Sequence, residues 1–259
     1  MEDTVLNKDN YFFEKVLSVP LILNQIFGFL DRDSIKYLSL SNKKIYGIYC
    51  NQVNILKINK EANITNIEVL INKYNNINNL DLLDCENIKD FTPISKLEKL
   101  EILNVSYTNI SDISFLKNKK NIKELKLIGC RNIKDFTPIS KLEILENLNV
   151  RLTIISDISF LENNKNIKEL DLEYCENIKD FTPISKLKIL EHFIVSSTNI
   201  TDISFLENNK NIKKLYFDGC ENIKDFTPIS KLEKLEFLDV RNTNIPDNIL
   251  NKKDIRIIK

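Results

Sequence analysis

The sequence predicts an α/β solenoid, a stack of short coils whose strands line up as one parallel sheet. Three observations carry this expectation. An eleven-residue string, Asn-Ile-Lys-Asp-Phe-Thr-Pro-Ile-Ser-Lys-Leu, starts at Asn87, Asn132, Asn177 and Asn222, always 45 residues apart. A fixed period of that size marks an array in which each unit buries its apolar face only against its neighbours. Each 45-residue unit also splits into halves of 23 and 22 residues, and each half carries an apolar triplet of period two, such as Leu80-Asp81-Leu82 or Leu103-Asn104-Val105. Alternation of that kind reads as a strand with every second side chain turned inward.

Before the array, residues 1–51 carry no repeat and predict a small three-helix module. Phe12, Phe13, Val16 and Leu17 have helical spacing, and Pro20 opens a second segment whose stripe is Leu23, Ile26, Phe27 and Leu30. Asp33 or Ser34 can cap a following helix with Ile35, Leu38 and Leu40 on one face, and a third short helix holds Ile45, Ile48 and Tyr49. Residues 52–76 read as a degenerate capping coil, with Leu56-Lys57-Ile58 as strand and Ile64, Ile67, Val69 and Leu70 as return.

The array proper fills residues 77–259, as units 77–121, 122–166, 167–211 and 212–256, eight coils in all. First halves read Ile-x-x-Leu-x-Leu-x-x-Cys-x-x-Ile (Ile122, Leu125, Leu127, Cys130, Ile133). Second halves read Leu-x-x-Leu-x-Val-x-x-Thr-x-Ile (Leu100, Leu103, Val105, Thr108, Ile110). This pattern resembles the leucine-rich repeat, Leu-x-x-Leu-x-Leu-x-x-Asn/Cys-x-Leu. The resemblance implies a horseshoe with a parallel concave sheet. Residues 90–94 and 112–116 predict short 3₁₀ or single-turn helical returns, because proline suits a first turn and Asp90, Asp135, Asp180 and Asp225 can accept N–H bonds there. Returns of the form Ile-x-Asp-Ile-x-x-Leu resemble the bacterial internalin and phosphatase-regulator class. Ile255, Ile257 and Ile258 predict a final strand that closes the edge.

Residues 19–43 run Val19-Pro20-Leu21-Ile22-Leu23-x-x-Ile26-Phe27-x-Phe29-Leu30-Asp31-x-x-Ser34-Ile35-x-x-Leu38-Ser39-Leu40-x-Asn42-Lys43. This segment resembles an F-box. Val19 stands where that family has Leu, and Ile22 where Glu is usual. The resemblance implies docking on the Skp adaptor of a cullin ubiquitin ligase through Pro20, Leu23, Ile26, Phe27, Leu30, Ile35 and Leu38, while the repeats hold a protein substrate. The alternative is a plain helical cap for the first coil, in a non-catalytic adaptor or scaffold.

The 37 basic and 37 acidic residues cancel, so no global field recruits nucleic acid or an anionic membrane. The basic cluster Lys117, Lys119 and Lys120 reads as a solvated face. The longest charge-free stretch, residues 16–30, is too short to span a bilayer, and the chain starts Met1-Glu2-Asp3 without the basic region of a secretory signal. Cys85, Cys130, Cys175 and Cys220 recur in alternate coils, roughly 10 Å apart, beyond the Cα reach of about 7 Å that a disulfide needs. The same spacing argues against a metal ladder. Unpaired thiols point to a reducing, cytoplasmic setting. The chain is expected to be a monomer. The excess of Asn, Ile and Lys resembles translation of an AT-rich genome, as in some protists and large DNA viruses.

No phosphate loop, paired-acid signature or nucleophile elbow occurs, and the single histidine, His192, has no carboxylate in a motif-like relation to it. The chain therefore reads as a non-enzyme without cofactors. The four copies provide an internal comparison: return segments hardly vary, while positions flanking the inward apolar residues do. Candidate partner-binding residues on the concave face are Asp81, Tyr107, Lys126, Arg151, Asp171, Tyr174, His192, Tyr216, Phe237 and Arg241. The aromatic members fit the hot-spot chemistry of protein interfaces.

Overall fold

The computed structural model describes residues 54–58, 64–249 and 255–259. The predicted three-helix module, and with it the adaptor-facing set Pro20, Leu23, Ile26, Phe27, Leu30, Ile35 and Leu38, lies outside those residues. Ten three-residue strands form one parallel sheet in sequence order: β1 Ile55–Lys57, β2 Asn79–Asp81, β3 Ile102–Asn104, β4 Glu124–Lys126, β5 Asn147–Asn149, β6 Glu169–Asp171, β7 His192–Ile194, β8 Lys214–Tyr216, β9 Phe237–Asp239 and β10 Arg256–Ile258. Each strand starts one residue earlier than the apolar triplets predict. The ladder continues past it, since Leu82 N–H still donates to Asn104 O at 2.8 Å. The register is constant, with Leu80, Leu103, Leu125, Leu148, Leu170, Phe193, Leu215 and Leu238 side by side at strand centres.

The return of each coil is the expected 3₁₀ segment, Thr92–Lys96 and Ser114–Asn118 in the first unit, and the same pair in each unit to Thr227–Lys231. Asp90, Asp135, Asp180 and Asp225 cap these segments as predicted, each Oδ1 accepting the N–H two residues on at 2.8–2.9 Å. Asp112, Asp157 and Asp202 do the same at 2.8 Å in the alternate coils. Bonds from the threonine hydroxyl and amide hold Asp90, Asp135 and Asp180 below the ordinary carboxylate range.

Between sheet and returns lies a continuous strip of core, in which Leu127, Val150, Phe193 and Phe217 are fully buried. The four repeat cysteines are free and buried. Their thiols serve the backbone of the preceding coil: Cys130, Cys175 and Cys220 donate to the carbonyls of Val105, Val150 and Val195 at 3.1–3.2 Å. Those carbonyls also accept from Thr108, Thr153 and Thr198 at 2.7–2.8 Å. The Cys/Thr alternation thus satisfies one buried carbonyl from two sides, which an apolar residue would leave half-served.

The first coil differs from its prediction. Its return is an α-helix, α1 (Glu68–Lys73), which buries Ile71, with Ile67 buried just before it. Val69 instead points to solvent, 68% exposed. Helical geometry carries side chains two apart to different faces. Lys119 is a second correction. It is 4% exposed, and its ammonium donates to the carbonyls of Ser95 at 2.8 Å and Leu97 at 2.6 Å. Asn164 and Asn209 fill the equivalent site in later units, each bonding two carbonyls of the preceding return. Burial pushes the Lys119 ammonium down to about 8, with Glu98 opposing.

Candidate functional site

A three-residue strand with an inward centre leaves its first and third residues on the concave face. Asp81, Lys126, Asp171, His192, Tyr216 and Phe237 all sit at such positions. Tyr107, Arg151, Tyr174 and Arg241 do not. They follow the strands in the turns, because the chain bends away one residue after each triplet. The tyrosines occupy the turn's left-handed position, with φ of 53° at Tyr107 and 59° at Tyr174. The same position holds Asp84, Gly129, Leu152, Ser197, Gly219 and Asn242. Glycine, asparagine and aspartate suit that conformation; Tyr and Leu are strained there. At Gly129 the missing Cβ matters twice, since one built there would lie 2.7 Å from Tyr107 Cδ1. The Tyr107 ring lies across the glycine turn, and Tyr107, Leu83, Ile154 and Tyr174 are all exposed.

Several predicted contact residues also hold the fold. Asp81 accepts the Leu83 N–H at 3.1 Å and the Asn104 amide at 2.9 Å. Asp171 accepts the Glu173 N–H at 3.0 Å and the Asn149 amide at 2.8 Å. Burial pushes the Asp171 carboxyl up, while the Glu173 amide, Arg151 and Asn149 oppose it. Arg151 pairs with Glu173 at 2.9 Å and lies 5.5 Å from the centroid of the Tyr174 ring. Arg241 grips Asp239 through two bonds and Asp218 at 3.1 Å.

His192 has a carboxylate partner that comes from strand register and not from a motif: Nδ1 lies 2.7 Å from Glu169 Oε1. The two residues face each other across β6 and β7, a relation 23 positions apart that no local motif encodes. Another pattern escaped the sequence reading. Glu101, Lys123, Glu146, Lys168, Glu191 and Lys213 occupy the position before each strand, and each lysine binds the preceding glutamate at 2.7–2.8 Å. This ladder follows from the 23/22 half-period and becomes visible only when the halves are superposed. A shallow groove of about 210 Å³ runs across β4 to β8, lined among others by Lys126, Asn149, Asp171, His192, Ile194 and Tyr216.

Across residues 57–179 and 147–258 the sequence matches the BspA type leucine rich repeat region, in six copies. The chain belongs to this family. No curated protein sequence matches the chain. Among solved structures, an internalin C2 from Listeria monocytogenes is 28% identical, with a TM-score of 0.67 over 74% of this chain and 82% of that one. An internalin, InlF, from the same organism has a TM-score of 0.70 at 21% identity, covering 91% of this chain and 76% of that one. The ectodomain of the Arabidopsis thaliana receptor kinase GASSHO1/SCHENGEN3, solved in complex with CASPARIAN STRIP INTEGRITY FACTOR 2, aligns at 15% identity with a TM-score of 0.59, over 78% of this chain and 25% of that one.

The BspA-type array is thus a protein–protein interaction module. No group of three or more His, Cys, Asp or Glu side chains among the described residues is placed to hold a metal ion. No described helix is long and apolar enough to cross a membrane. Three buried polar atoms lack partners among the described residues: Arg151 Nε, Asn164 Oδ1 and Asn209 Oδ1.

Proposed function

We propose that this chain is the substrate receptor of a Skp–cullin–F-box ubiquitin ligase. Residues 19–43 would dock on the adaptor, and the repeat array would hold a protein substrate. The observation that carries the reading is the pairing of an F-box-like segment with a repeat array whose walls are copied while its face varies. The 3₁₀ segments Thr92–Lys96, Thr137–Lys141, Thr182–Lys186 and Thr227–Lys231 are identical in sequence. The strand positions between them run from Glu124 and Lys126 to Lys214 and Tyr216. A surface that changes while its scaffold is held constant fits selection for partner recognition.

The role is non-catalytic: chemistry belongs to the ligase, and this chain contributes position. A reducing cytoplasm suits it, since burial raises the Cys130, Cys175 and Cys220 thiols, Cys175 to about 11, and keeps them from reacting. The Asn, Ile and Lys bias fits a source with an AT-rich genome, such as a protist or a large DNA virus acting in a host cytoplasm. Affinity capture from a eukaryotic lysate tests the reading. A Skp-type adaptor and a cullin should come down together with the full chain; their joint absence would leave a scaffold whose N-terminal helices only cap the array.

A further inference from the structure

Three of the five basic side chains at concave strand positions have a carboxylate partner. Lys57 binds Asp81 at 3.1 Å, Lys126 binds Glu124 at 2.5 Å and His192 meets Glu169 at 2.7 Å. Arg151 and Arg241, in the adjoining turns, hold Glu173, Asp218 and Asp239. Lys214 on β8 and Arg256 on β10 are different: neither has a carboxylate partner among the described residues. They share one row of the sheet, with Phe237 of β9 directly between them. The Arg256 guanidinium lies 5.8 Å from the centroid of the Phe237 ring, and Tyr216 lies 4.9 Å from it on the other side. Ile194 adjoins Tyr216 on β7.

We infer that this corner of the concave face is a binding site for an acidic peptide, one with two carboxylates flanking apolar side chains. The inference rests on the reading of the array as a substrate receptor and names the chemistry of what it receives. Two strand spacings separate Lys214 from Arg256 by roughly 10 Å. An extended peptide crossing the strands advances roughly 3.3 Å per residue, so acids three positions apart reach both cations. The residues between those acids lie over Phe237 and Tyr216, rigid rings that bury area at little entropic cost. Of the acids beside the row, Asp239 is held by Arg241 and Glu191 by Lys213, and Glu236 alone has no ion pair among the described residues.

Cations beside aromatic rings also suit single-stranded nucleic acid. The surroundings argue against it. Glu236, exposed and without an ion pair among the described residues, stands directly before Phe237, and a strand with a charge at every nucleotide would bring phosphates against it. A peptide with two acids three positions apart needs only the two cations.

The test uses the full chain and a fluorescein-labelled Gly-Ser-Asp-Leu-Leu-Asp-Ser-Gly peptide, followed by anisotropy in 50 mM salt. Saturable binding is expected. It should weaken at least tenfold with Lys214→Gln plus Arg256→Gln, with Lys214→Gln alone to a smaller degree, with asparagine in place of both peptide aspartates, and in 500 mM salt. The pair Lys134→Ala with Lys141→Ala, outside the concave face, should leave it unchanged. Absence of saturable binding, equal binding of the asparagine peptide, or tighter binding of a labelled oligouridylate would each overturn the inference. Capture of the adaptor depends on residues 19–43 and is read separately. A silent peptide beside intact adaptor capture refutes the peptide chemistry alone, and the converse refutes the ligase reading alone.

Discussion

Replacing Lys119 with asparagine should stabilise the chain at neutral pH, although it removes two hydrogen bonds to backbone carbonyls. Burial brings the ammonium from its ordinary 10.5 to about 8. At roughly 1.4 kcal/mol per pH unit of displacement, keeping it charged at neutral pH costs about 3 kcal/mol. Asparagine, the residue that Asn164 and Asn209 place at this site, bonds the same kind of carbonyls without a charge. Its Oδ1 would be left unpartnered, as theirs are, at a cost of about 2 kcal/mol. The balance is a gain of about 1 kcal/mol. The pH dependence is the stronger signature. Between pH 8 and 10.5 the unfolded chain keeps a proton that the folded chain has released, so wild-type stability rises with pH through that window. By pH 10 this recovers about 2.5 kcal/mol, and the advantage of Lys119→Asn should have reversed. Urea midpoints by circular dichroism at pH 7.5 and pH 10, for both proteins, check this. A variant less stable at pH 7.5, or a gap that does not move with pH, would refute the reasoning.

Three further outcomes follow from the packing. Leu127→Ala should cost about 2–5 kcal/mol, because the residue is fully buried and a stacked array relaxes poorly into a void; hydrogen exchange should show the loss centred on adjacent coils. Gly129→Ala should cost more than the roughly 1–2 kcal/mol of a left-handed alanine, owing to the approach to Tyr107; in a Tyr107→Ala background only the backbone part should remain, as a double-mutant cycle would show. The four repeat thiols should be silent to a thiol reagent in native protein at pH 8 and all react after denaturation, and a disulfide among them would contradict the coil register.

The parts of this fold that were legible in the sequence are those the repeat enforces. Leu103, Leu125 and Leu148 announce themselves as strand centres because the period-two pattern recurs at every half-unit. Asp90 and Asp135 announce themselves as caps because a short acceptor stands just before a Thr-Pro turn. What stayed hidden depends on which neighbour a side chain meets. Lys119 looked solvated because lysine at a coil junction normally is, and only the packed returns show that its stem enters an asparagine site. Tyr107 and Tyr174 looked like strand residues because the alternation runs on beyond the point where the chain turns. His192 and Glu169 are partners only through register, so the pair is absent from any local pattern. The varied positions narrowed the candidate surface to one side of the array, but Asp81 and Asp171 showed that such positions also carry the strand-end hydrogen bonds.

The most direct measurement is binding of the purified full chain to a purified Skp-type adaptor by isothermal titration calorimetry. The reading as a ligase receptor predicts a one-to-one complex. Ile26→Asp with Phe27→Asp should abolish it while the thermal unfolding of the array stays unchanged, since the array's described core is built from Ile58 onward. A wild-type chain that gives no heat with the adaptor, or a double variant that binds as well as wild type, would contradict the reading.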